Sequence, residues 1–318
     1  MKAPLISICM ICYNVEAFLG EAIQGVLQQK TEFPIELILG DDCSTDETLK
    51  IAHEYAAKYP DMIRVLAFKE NLGIAGNTAR TLEECHGKYV AICDSDDAWS
   101  DPLKLQKQVE FLEQNPDYGI VYTDVQTISE TGVPIADPDI EGIRPLYSEG
   151  DVFFQLLEGN FICNSTTVYR RELLNGHSID PARNYFVQDY IMWLQISSRA
   201  KVHYLPEKTT LYRKHSRSVT NNAGTKAKRE GNKRMFHYYL YKAVASFDRY
   251  NTRILTEKEK TLLFRKMISL LYRSPGTLGM KLDILQRMPR YFPGIRNLLR
   301  IGFSKAFHRF HVKSMGFE

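Results

Sequence analysis

Several features that would quickly assign a chain to a class of protein are missing from this sequence. No apolar run approaches the roughly 20 residues that a membrane-spanning helix needs. The apolar stretch Leu5–Cys12 lacks a signal-peptide cleavage site and continues into Tyr13-Asn14, so we expect a buried strand. No segment fits the phosphate-binding patterns GxGxxG or GxxxxGK(S/T), and the net charge of +3 is too small to predict nucleic-acid binding. We therefore expect a globular protein whose partners do not include nucleic acid.

Cysteine is scarce, and its spacing does not predict a metal centre. Cys9 and Cys12 form a CxxC pair with no second pair nearby, and inside a strand they would point to opposite faces. Most of the cysteines lie in or beside apolar segments, as buried free thiols do. We therefore expect a reducing, cytoplasmic compartment. The six residues are Cys9, Cys12, Cys43, Cys85, Cys93 and Cys163.

The first part of the chain alternates between apolar strands and amphipathic helices. Near-uniformly apolar strands separated by helices are typical of a mainly parallel sheet covered by helices on both faces, so we predict a Rossmann-like α/β fold. Strands are predicted at Leu5–Cys12, Ile35–Leu39, Ile63–Phe68, Lys88–Cys93 and Tyr118–Thr123. Helices are predicted from Phe18, from a capping box at Ser44-Thr45-Asp46-Glu47, after Asn71-Leu72-Gly73 and after Asp101-Pro102.

Beyond Gly132 the alternation weakens. Val133–Pro145 is rich in Pro, Asp and Gly and is predicted to be a loop. From about Thr225 onward the pattern predicts only helices, with Arg and Lys increasingly frequent, so we place a helical, basic C-terminal region at residues 221–318. Between these segments we predict helices at Val152–Leu157 and Tyr190–Ile196, and strands at Phe161–Tyr169, Val202–Leu205 and Thr209–Tyr212.

The acidic segment Asp94-Ser95-Asp96-Asp97 directly follows a predicted apolar strand. Ligands of open α/β sheets bind beyond the carboxyl ends of the strands, where this segment lies. Clustered carboxylates repel one another unless cations neutralise them, and Mg²⁺ is usually bound through one or two carboxylates together with substrate phosphates. For Asp94 and Asp96 the pattern favours a metal site. The alternative, a solvated acidic turn before the next helix, accounts for Asp97 or Asp101 equally well.

Other polar residues follow strands or begin helices, and each has an ordinary alternative role. Asp41-Asp42 could accept hydrogen bonds from a base or a ribose, or belong to the start of a helix. Tyr13 is either a rim aromatic or a stacking platform. The helix after Asn71-Leu72-Gly73 could present its N–H groups to a phosphate. Asp189 has the position of a helix cap, and a lone loop histidine such as His215 is usually a surface residue.

Together, these segments resemble the inverting family 2 glycosyltransferases with the GT-A fold, from about Pro4 to Thr220. Their order and spacing are more specific than any single piece. The resemblance rests on Ser7–Asn14, Leu39–Asp46, Asn71–Gly73, Asp94–Asp97, Gln188-Asp189 before a Trp-containing helix, and Tyr212-Arg213-x-His215-x-x-Ser218-Val219-Thr220. It implies a GT-A catalytic domain over residues 1–220, with a nucleotide-sugar-binding half (1–125) and an acceptor-side half (126–220).

The resemblance also implies a role for each candidate residue. The donor would be a nucleotide-diphospho-sugar, the cofactor a divalent metal (Mn²⁺ or Mg²⁺), and the acceptor a saccharide or a lipid-linked molecule. Asp189 would be the general base, Asp96 would bind the metal with His215 beside it, and Asp94 would approach the ribose. The nucleoside pocket would be formed by Tyr13, Glu16 and Asp42, with Asn71, Gly73 and Arg80 near it.

Two positions depart from the family pattern. Cys43 stands where glycine is frequent, which predicts a slightly different turn, and Gln188 stands where glutamate is usual. A sugar-nucleotide pyrophosphorylase is disfavoured because Cys12–Glu16 is unlike its glycine-rich basic loop. A processive polysaccharide synthase is disfavoured because membrane spans and a Gln-x-x-Arg-Trp motif are absent. We therefore expect single additions in cell-surface polysaccharide or glycolipid biosynthesis; a catalytically inactive nucleotide-sugar-binding or scaffold protein is the alternative.

The segment from about Arg287 onward mixes Arg and Lys with Phe, Leu and Ile. Such a helix can lie at a membrane interface with anionic headgroups, which would place the protein peripherally on the inner face of the membrane. It can equally pack on the catalytic domain or on a second subunit in a homodimer. The sequence leaves these alternatives open.

Overall fold

The computed structural model describes residues 4–174, 188–216, 218, 240–247, 250, 254–273 and 278–291. The strands are β1 (Ile6–Cys12), β2 (Ile35–Asp41), β3 (Ile63–Ala67), β4 (Tyr89–Ile92), β5 (Ala98–Trp99), β6 (Tyr118–Ile128), β7 (Val168–Arg170) and β8 (Lys201–Arg213). The helices are α1 (Leu19–Leu27), α2 (Thr48–Lys58), α3 (Gly73–Glu83), α4 (Lys104–Gln114), α5 (Pro138–Ile143), α6 (Phe153–Glu158) and α7 (Gln188–Ser197). Residues 240–247 are also helical, and further helices span Glu257–Arg273 and Leu278–Tyr291.

All of these strands join one sheet in the order β3-β2-β1-β4-β7-β6-β8-β5. β3, β2, β1 and β4 are parallel neighbours, so their carboxyl ends meet at one edge. β7 runs antiparallel between β4 and β6, while β6 and β8 pair in parallel. The predicted α/β class is therefore confirmed, and the sheet continues across the predicted division at residue 125.

Each face of the sheet has its own apolar core, because alternate residues of a strand point to opposite faces. In β1, Met10 and Cys12 belong to one core and Cys9 to the other. Helices α1, α2 and α4 cover the first core, and α3, α6 and α7 cover the second. Cys9 and Cys12 are thus separated as predicted, and all six cysteines are free thiols, most of them buried.

The described C-terminal helices complete the second core. Val244, Leu263, Met267 and Ile284 are buried in it. This part of the chain is helical, as predicted, and it packs on the sheet domain. Among the described residues no helix is both long and apolar enough to cross a bilayer. Residues 292–318 lie outside the described part, so membrane contact by the tail stays a prediction.

Two local predictions from the first two hundred residues were wrong in detail. α2 begins at Thr48, not at Ser44, because Ser44 Oγ accepts a hydrogen bond from the Asn14 N–H while Asp46 Oδ1 accepts from the Thr48 N–H. The predicted loop Val133–Pro145 contains α5, whose first turn is capped by Asp137.

Strands β5, β7 and β8 also differ from prediction. β7 is confined to Val168–Arg170 because Asn164–Thr166 forms a single 3-10 turn. β8 is one long strand with irregular register where two strands were predicted. The two-residue β5, which pairs with β8, was not predicted.

Candidate active site

The loops after β1 and β2 are joined by hydrogen bonds at the carboxyl edge of the sheet. Asn14 Oδ1 accepts from the Thr45 N–H at 2.8 Å, and Glu16 Oε2 accepts from the Glu47 N–H at 2.8 Å. Tyr13 is 48% exposed next to these contacts, so its ring is accessible to a stacking partner. Glu16 therefore has a structural role at the start of α2 besides any contact with a nucleoside.

Asp42 is buried and organises the turn before α3. Its Oδ1 accepts from the Leu72 N–H at 2.6 Å, and its main-chain carbonyl accepts from Asn71 Nδ2 at 3.1 Å. Burial raises the pKa of the Asp42 carboxyl, and hydrogen bonds from the Leu72 and Gly73 N–H groups oppose that increase. Gly73 has φ 71, a backbone conformation that favours glycine. The structure thus brings together Asp42, Asn71 and Gly73.

Two neighbours of this turn behave differently. Asp41 is buried, and its Oδ1 has no hydrogen-bond partner among the described residues. Arg80 is exposed on α3, where it forms an ion pair with Glu83 at 3.1 Å. Cys43 has φ 62, so its backbone adopts the left-handed conformation that glycine favours.

Asp94 follows β4 and is held by the turn Asn164–Thr166. Asn164 Nδ2 donates to Asp94 Oδ1 at 2.8 Å, and the Ser165 hydroxyl lies 3.0 Å from Asp94 Oδ2. The same hydroxyl accepts from the Asp94 N–H at 3.0 Å and lies 2.6 Å from Asp97 Oδ2. Burial, reinforced by the nearby Asp96 carboxylate, raises the pKa of Asp94 to about 7. Both carboxylate oxygens of Asp94 are therefore held by hydrogen bonds, which fix the orientation of the side chain.

This turn is itself held from the opposite side. Trp99 Nε1 donates to the Ser165 carbonyl at 2.8 Å, and Gln108 Nε2 donates to the Thr166 carbonyl at 2.9 Å. The fully buried Lys104 also donates to the Thr166 carbonyl, at 3.2 Å, and burial lowers the pKa of its amine to about 7. Residues of β5 and α4 thereby fix the turn that holds Asp94.

Asp96 pairs with His215 on the other side of the acidic segment. His215 Nε2 lies 3.0 Å from Asp96 Oδ2, and the imidazole packs on the Phe18 ring. Arg213 is buried beneath them: its Nε donates to the Asp96 carbonyl at 3.0 Å, its Nη2 binds Glu21, and its guanidinium lies over Phe18. Arg213 thus connects the backbone at Asp96 with the ring that supports His215.

Asp96 and His215 have the chemistry of a partial metal site. Among the described residues, no group of three or more His, Cys, Asp and Glu side chains is arranged to hold a metal ion. One carboxylate and one imidazole nevertheless suit a divalent ion that takes its other ligands from substrate phosphates and water. The pair therefore fits Mn²⁺ or Mg²⁺ brought by a diphosphate.

Asp94 and Asp189 line one small pocket. Asp189 is half-buried in the first turn of α7, and burial raises the pKa of its carboxyl to about 6, with its own and the Tyr190 N–H groups opposing the increase. The residues that line the pocket are Cys9, Ile11, Thr78, Ile92, Asp94, Asn164, Gln188, Asp189 and Met192. Two carboxylates with raised pKa values, from distant segments, thus share one pocket.

Sequence reasoning missed Asn164 and Ser165, and it gave Arg213 no role. Asn164 and Ser165 follow the apolar residues Phe161–Cys163, where a strand was predicted, and nothing local marks them as partners of Asp94. The polar Asn-Ser-Thr-Thr run inside that predicted strand was the available signal.

The sequence matches known proteins over most of the sheet domain. The profile of glycosyl transferase family 2 matches residues 7–177. The uncharacterized protein Rv1520 of Mycobacterium tuberculosis (strain ATCC 25618 / H37Rv) is 36% identical over 220 residues, which are 69% of this chain and 61% of Rv1520. This chain therefore spans less than two thirds of that relative. TuaG of Bacillus subtilis (strain 168), a glycosyltransferase named for teichuronic acid biosynthesis, is 30% identical over 227 residues, 71% of this chain and 85% of TuaG.

Two solved structures share the fold. Staphylococcus aureus TarS 1–349, in complex with UDP-GlcNAc, has a TM-score of 0.58 at 16% identity and covers 90% of this chain and 81% of its own. The mannosyltransferase PcManGT from Pyrobaculum calidifontis, in complex with GDP-Man and Mn²⁺, has a TM-score of 0.57 at 18% identity. The match covers 96% of this chain and 81% of PcManGT. At these identities the likeness concerns the GT-A fold alone. The family profile, which matches more than half of the chain, shows that the protein belongs to glycosyl transferase family 2.

Proposed function

We propose that this chain transfers a sugar from a nucleotide-diphospho-sugar to an acceptor hydroxyl, with inversion at the anomeric carbon, in the synthesis of a cell-surface polysaccharide or glycolipid. The observation that carries the proposal is the pocket shared by Asp94 and Asp189, next to the Asp96–His215 pair. The reaction needs one group of carboxylates on the leaving-group side and one carboxylate on the acceptor side.

The donor would bind along the carboxyl edge of β1, β2 and β4. The accessible Tyr13 ring would stack on the base, while the oxygens of Asp41, Asp42 and Asp94 would accept hydrogen bonds from the nucleoside. Asp96 and His215 would hold a divalent metal ion, which supplies positive charge for a departing diphosphate. The UDP-GlcNAc complex of TarS and the complex of PcManGT with GDP-Man and Mn²⁺ support this type of donor and cofactor.

Asp189 would act as the general base. An acceptor hydroxyl is a weak nucleophile, so a carboxylate must take its proton as it attacks. A carboxyl whose pKa is about 6 is still ionised at neutral pH and is a better proton acceptor than an ordinary aspartate. Asp94 and Asp189 line the same pocket. With the diphosphate near Asp94 and the acceptor near Asp189, attack would come from the side opposite the diphosphate and would invert the anomeric centre.

The class of product is supported by the relatives. The name of TuaG places that protein in teichuronic acid biosynthesis, which favours a polysaccharide for this chain as well. A lipid-linked acceptor, peripheral membrane attachment and a homodimer remain predictions. The alternative of a non-catalytic nucleotide-sugar-binding protein is disfavoured by Asp189, since a binding protein has no need of a carboxylate with a raised pKa in the pocket.

The direct test is turnover by the purified full chain. We expect release of nucleoside diphosphate from at least one of UDP-GlcNAc, UDP-glucose and GDP-mannose in the presence of Mn²⁺, and a much slower release by Asp189→Asn. Tight donor binding without release or transfer under any condition would establish the binding-protein alternative.

A further inference from the structure

Gln188, the residue before the proposed base, is buried and its side-chain oxygen is unpaired. It is 9% exposed and lines the pocket together with Asp94, Asn164 and Asp189. Its Oε1 nevertheless has no hydrogen-bond partner among the described residues. Folded proteins rarely leave a buried polar atom unpaired, because desolvation is then uncompensated. The adjoining pocket is the space from which a ligand can supply the missing donor.

We propose that Gln188 is a specificity-determining residue whose side-chain oxygen accepts a hydrogen bond from a hydroxyl or an acetamido N–H of the transferred sugar. The proposal rests on the proposed function. If Asp94 lies on the diphosphate side and Asp189 takes the acceptor proton, an in-line displacement places the transferred sugar between them. Gln188 lies on the wall of that same space.

The walls of the pocket combine apolar and polar groups. They come from β1, β4, α3, α7 and the turn at Asn164, not from the loops that carry Tyr13 and Asp42. Part of the lining is apolar, contributed by Cys9, Ile11, Ile92 and Met192. The rest is polar, contributed by Thr78, Asn164, Gln188 and the two carboxylates. A pyranose has the same division, with C–H groups on its faces and hydroxyls around its rim.

A neutral side chain at this position is also consistent with its neighbours. Asp94 and Asp189 already place two carboxylates on the pocket. A third acid would repel both, whereas a carboxamide offers an acceptor oxygen without adding charge. Gln188 therefore offers a hydrogen-bond acceptor to a ligand without placing another negative charge next to Asp189.

The experiment compares binding of a nucleotide sugar with binding of the same nucleotide without sugar. The full chain is titrated calorimetrically, in the presence of Mn²⁺, with UDP-GlcNAc and UDP, and with GDP-mannose and GDP. For Gln188→Leu we expect the Kd of the sugar-bearing ligand to increase about three- to tenfold, the loss typical of one hydrogen bond between neutral groups. The Kd of the matching diphosphate should not change.

Gln195→Leu is the matched control. Gln195 lies on the same helix, is 3% exposed, and its Oε1 also has no partner among the described residues, but it does not line the pocket. In this variant the Kd of the nucleotide sugar and the Kd of the matching diphosphate should both stay at their wild-type values. If Gln188→Leu does not fold, Gln188→Asn takes its place. Its side chain is one methylene shorter, so the oxygen is withdrawn from the pocket, and it must show the same loss of affinity for the sugar-bearing ligands only.

Two results overturn the inference while leaving the proposed function intact. One is an equal weakening of sugar-bearing and sugar-free ligands, which indicates a scaffold role for Gln188. The other is unchanged binding of both in a protein that still transfers sugar. If the wild-type chain binds none of the four ligands, the proposed function fails and the inference with it.

Discussion

The Nε2 atom of His215 lies 3.0 Å from Oδ2 of Asp96, although the two residues are 119 positions apart in the chain. Phe18 supports the imidazole, with ring centroids 4.8 Å apart, and Arg213 fixes the main chain at Asp96. Phe18 and Arg213 therefore help to hold this pair in position.

For Asp96→Asn we expect loss of most of the Mn²⁺-dependent part of donor binding, because a neutral amide is a poor ligand for a hard cation. Calorimetric titration of the nucleotide sugar with and without Mn²⁺ measures this part. Asp101→Asn is the control, since Asp101 belongs to the same acidic stretch but pairs with Lys107. Unchanged metal dependence in the Asp96 variant would rule out its assignment as a ligand.

For Asp189→Asn we expect kcat to decrease by about 10²–10⁴-fold while donor Kd stays near its wild-type value. Asparagine caps a helix nearly as well as aspartate, so a purely structural Asp189 predicts an almost silent change. In the wild-type protein kcat should increase as pH rises through about 6, when the carboxyl with that pKa ionises. Near-normal turnover by the variant, measured with an authentic acceptor, would remove Asp189 from the mechanism.

The same substitution should stabilise the fold at neutral pH. The folded-state pKa of about 6 lies above that of an unfolded aspartate, so between about pH 4 and 6 the unfolded chain releases its proton first and the wild type loses stability. Asp189→Asn removes this cost, on the order of 1–3 kcal/mol. The Tm of the variant minus that of the wild type should therefore grow from pH 4.5 to 6 and then level off. An advantage independent of pH would contradict the raised pKa.

For Cys43→Gly we expect a gain of about 1 kcal/mol in the free energy of unfolding, because Cys43 has φ 62 and glycine adopts that conformation without strain. Cys43→Ala is the control: it removes the thiol but keeps the strained backbone, so it should give no gain. Urea denaturation curves distinguish the two variants. Equal stability of the two would show that the turn imposes no strain.

For a chain that ends at Tyr291 we expect loss of co-sedimentation with anionic liposomes at low salt, while donor hydrolysis is retained. The removed residues 292–318 carry most of the basic and aromatic residues of the tail, each cation contributing about 1 kcal/mol near an anionic surface. Liposomes of neutral lipid are the control. If the truncated protein unfolds or changes oligomeric state, the tail is instead a packing segment.

The parts of the fold that sequence predicts well are those specified locally. The apolar runs of β1, β2 and β4 identify the parallel strands, and the strand-end rule then places Asp94 and Asp96 at a binding edge. Asn164, which binds Asp94 from 70 positions away, has no local signature because its role depends on a long-range contact. β5 is likewise too short for any periodicity, and it exists because β8 offers a partner.

The clamped turn Asn164–Thr166 has a consequence for protein engineering. Chimaeras that exchange the second part of the sheet domain between family members could be joined near residue 125. In such a hybrid the first part supplies Trp99, Lys104 and Gln108, while the incoming part supplies the turn whose carbonyls accept their hydrogen bonds. A foreign turn that lacks these contacts would misdirect Asp94 even if the rest of the incoming segment folded well. Productive exchanges will therefore retain the native Asn164–Thr166 segment and begin the foreign sequence beyond it.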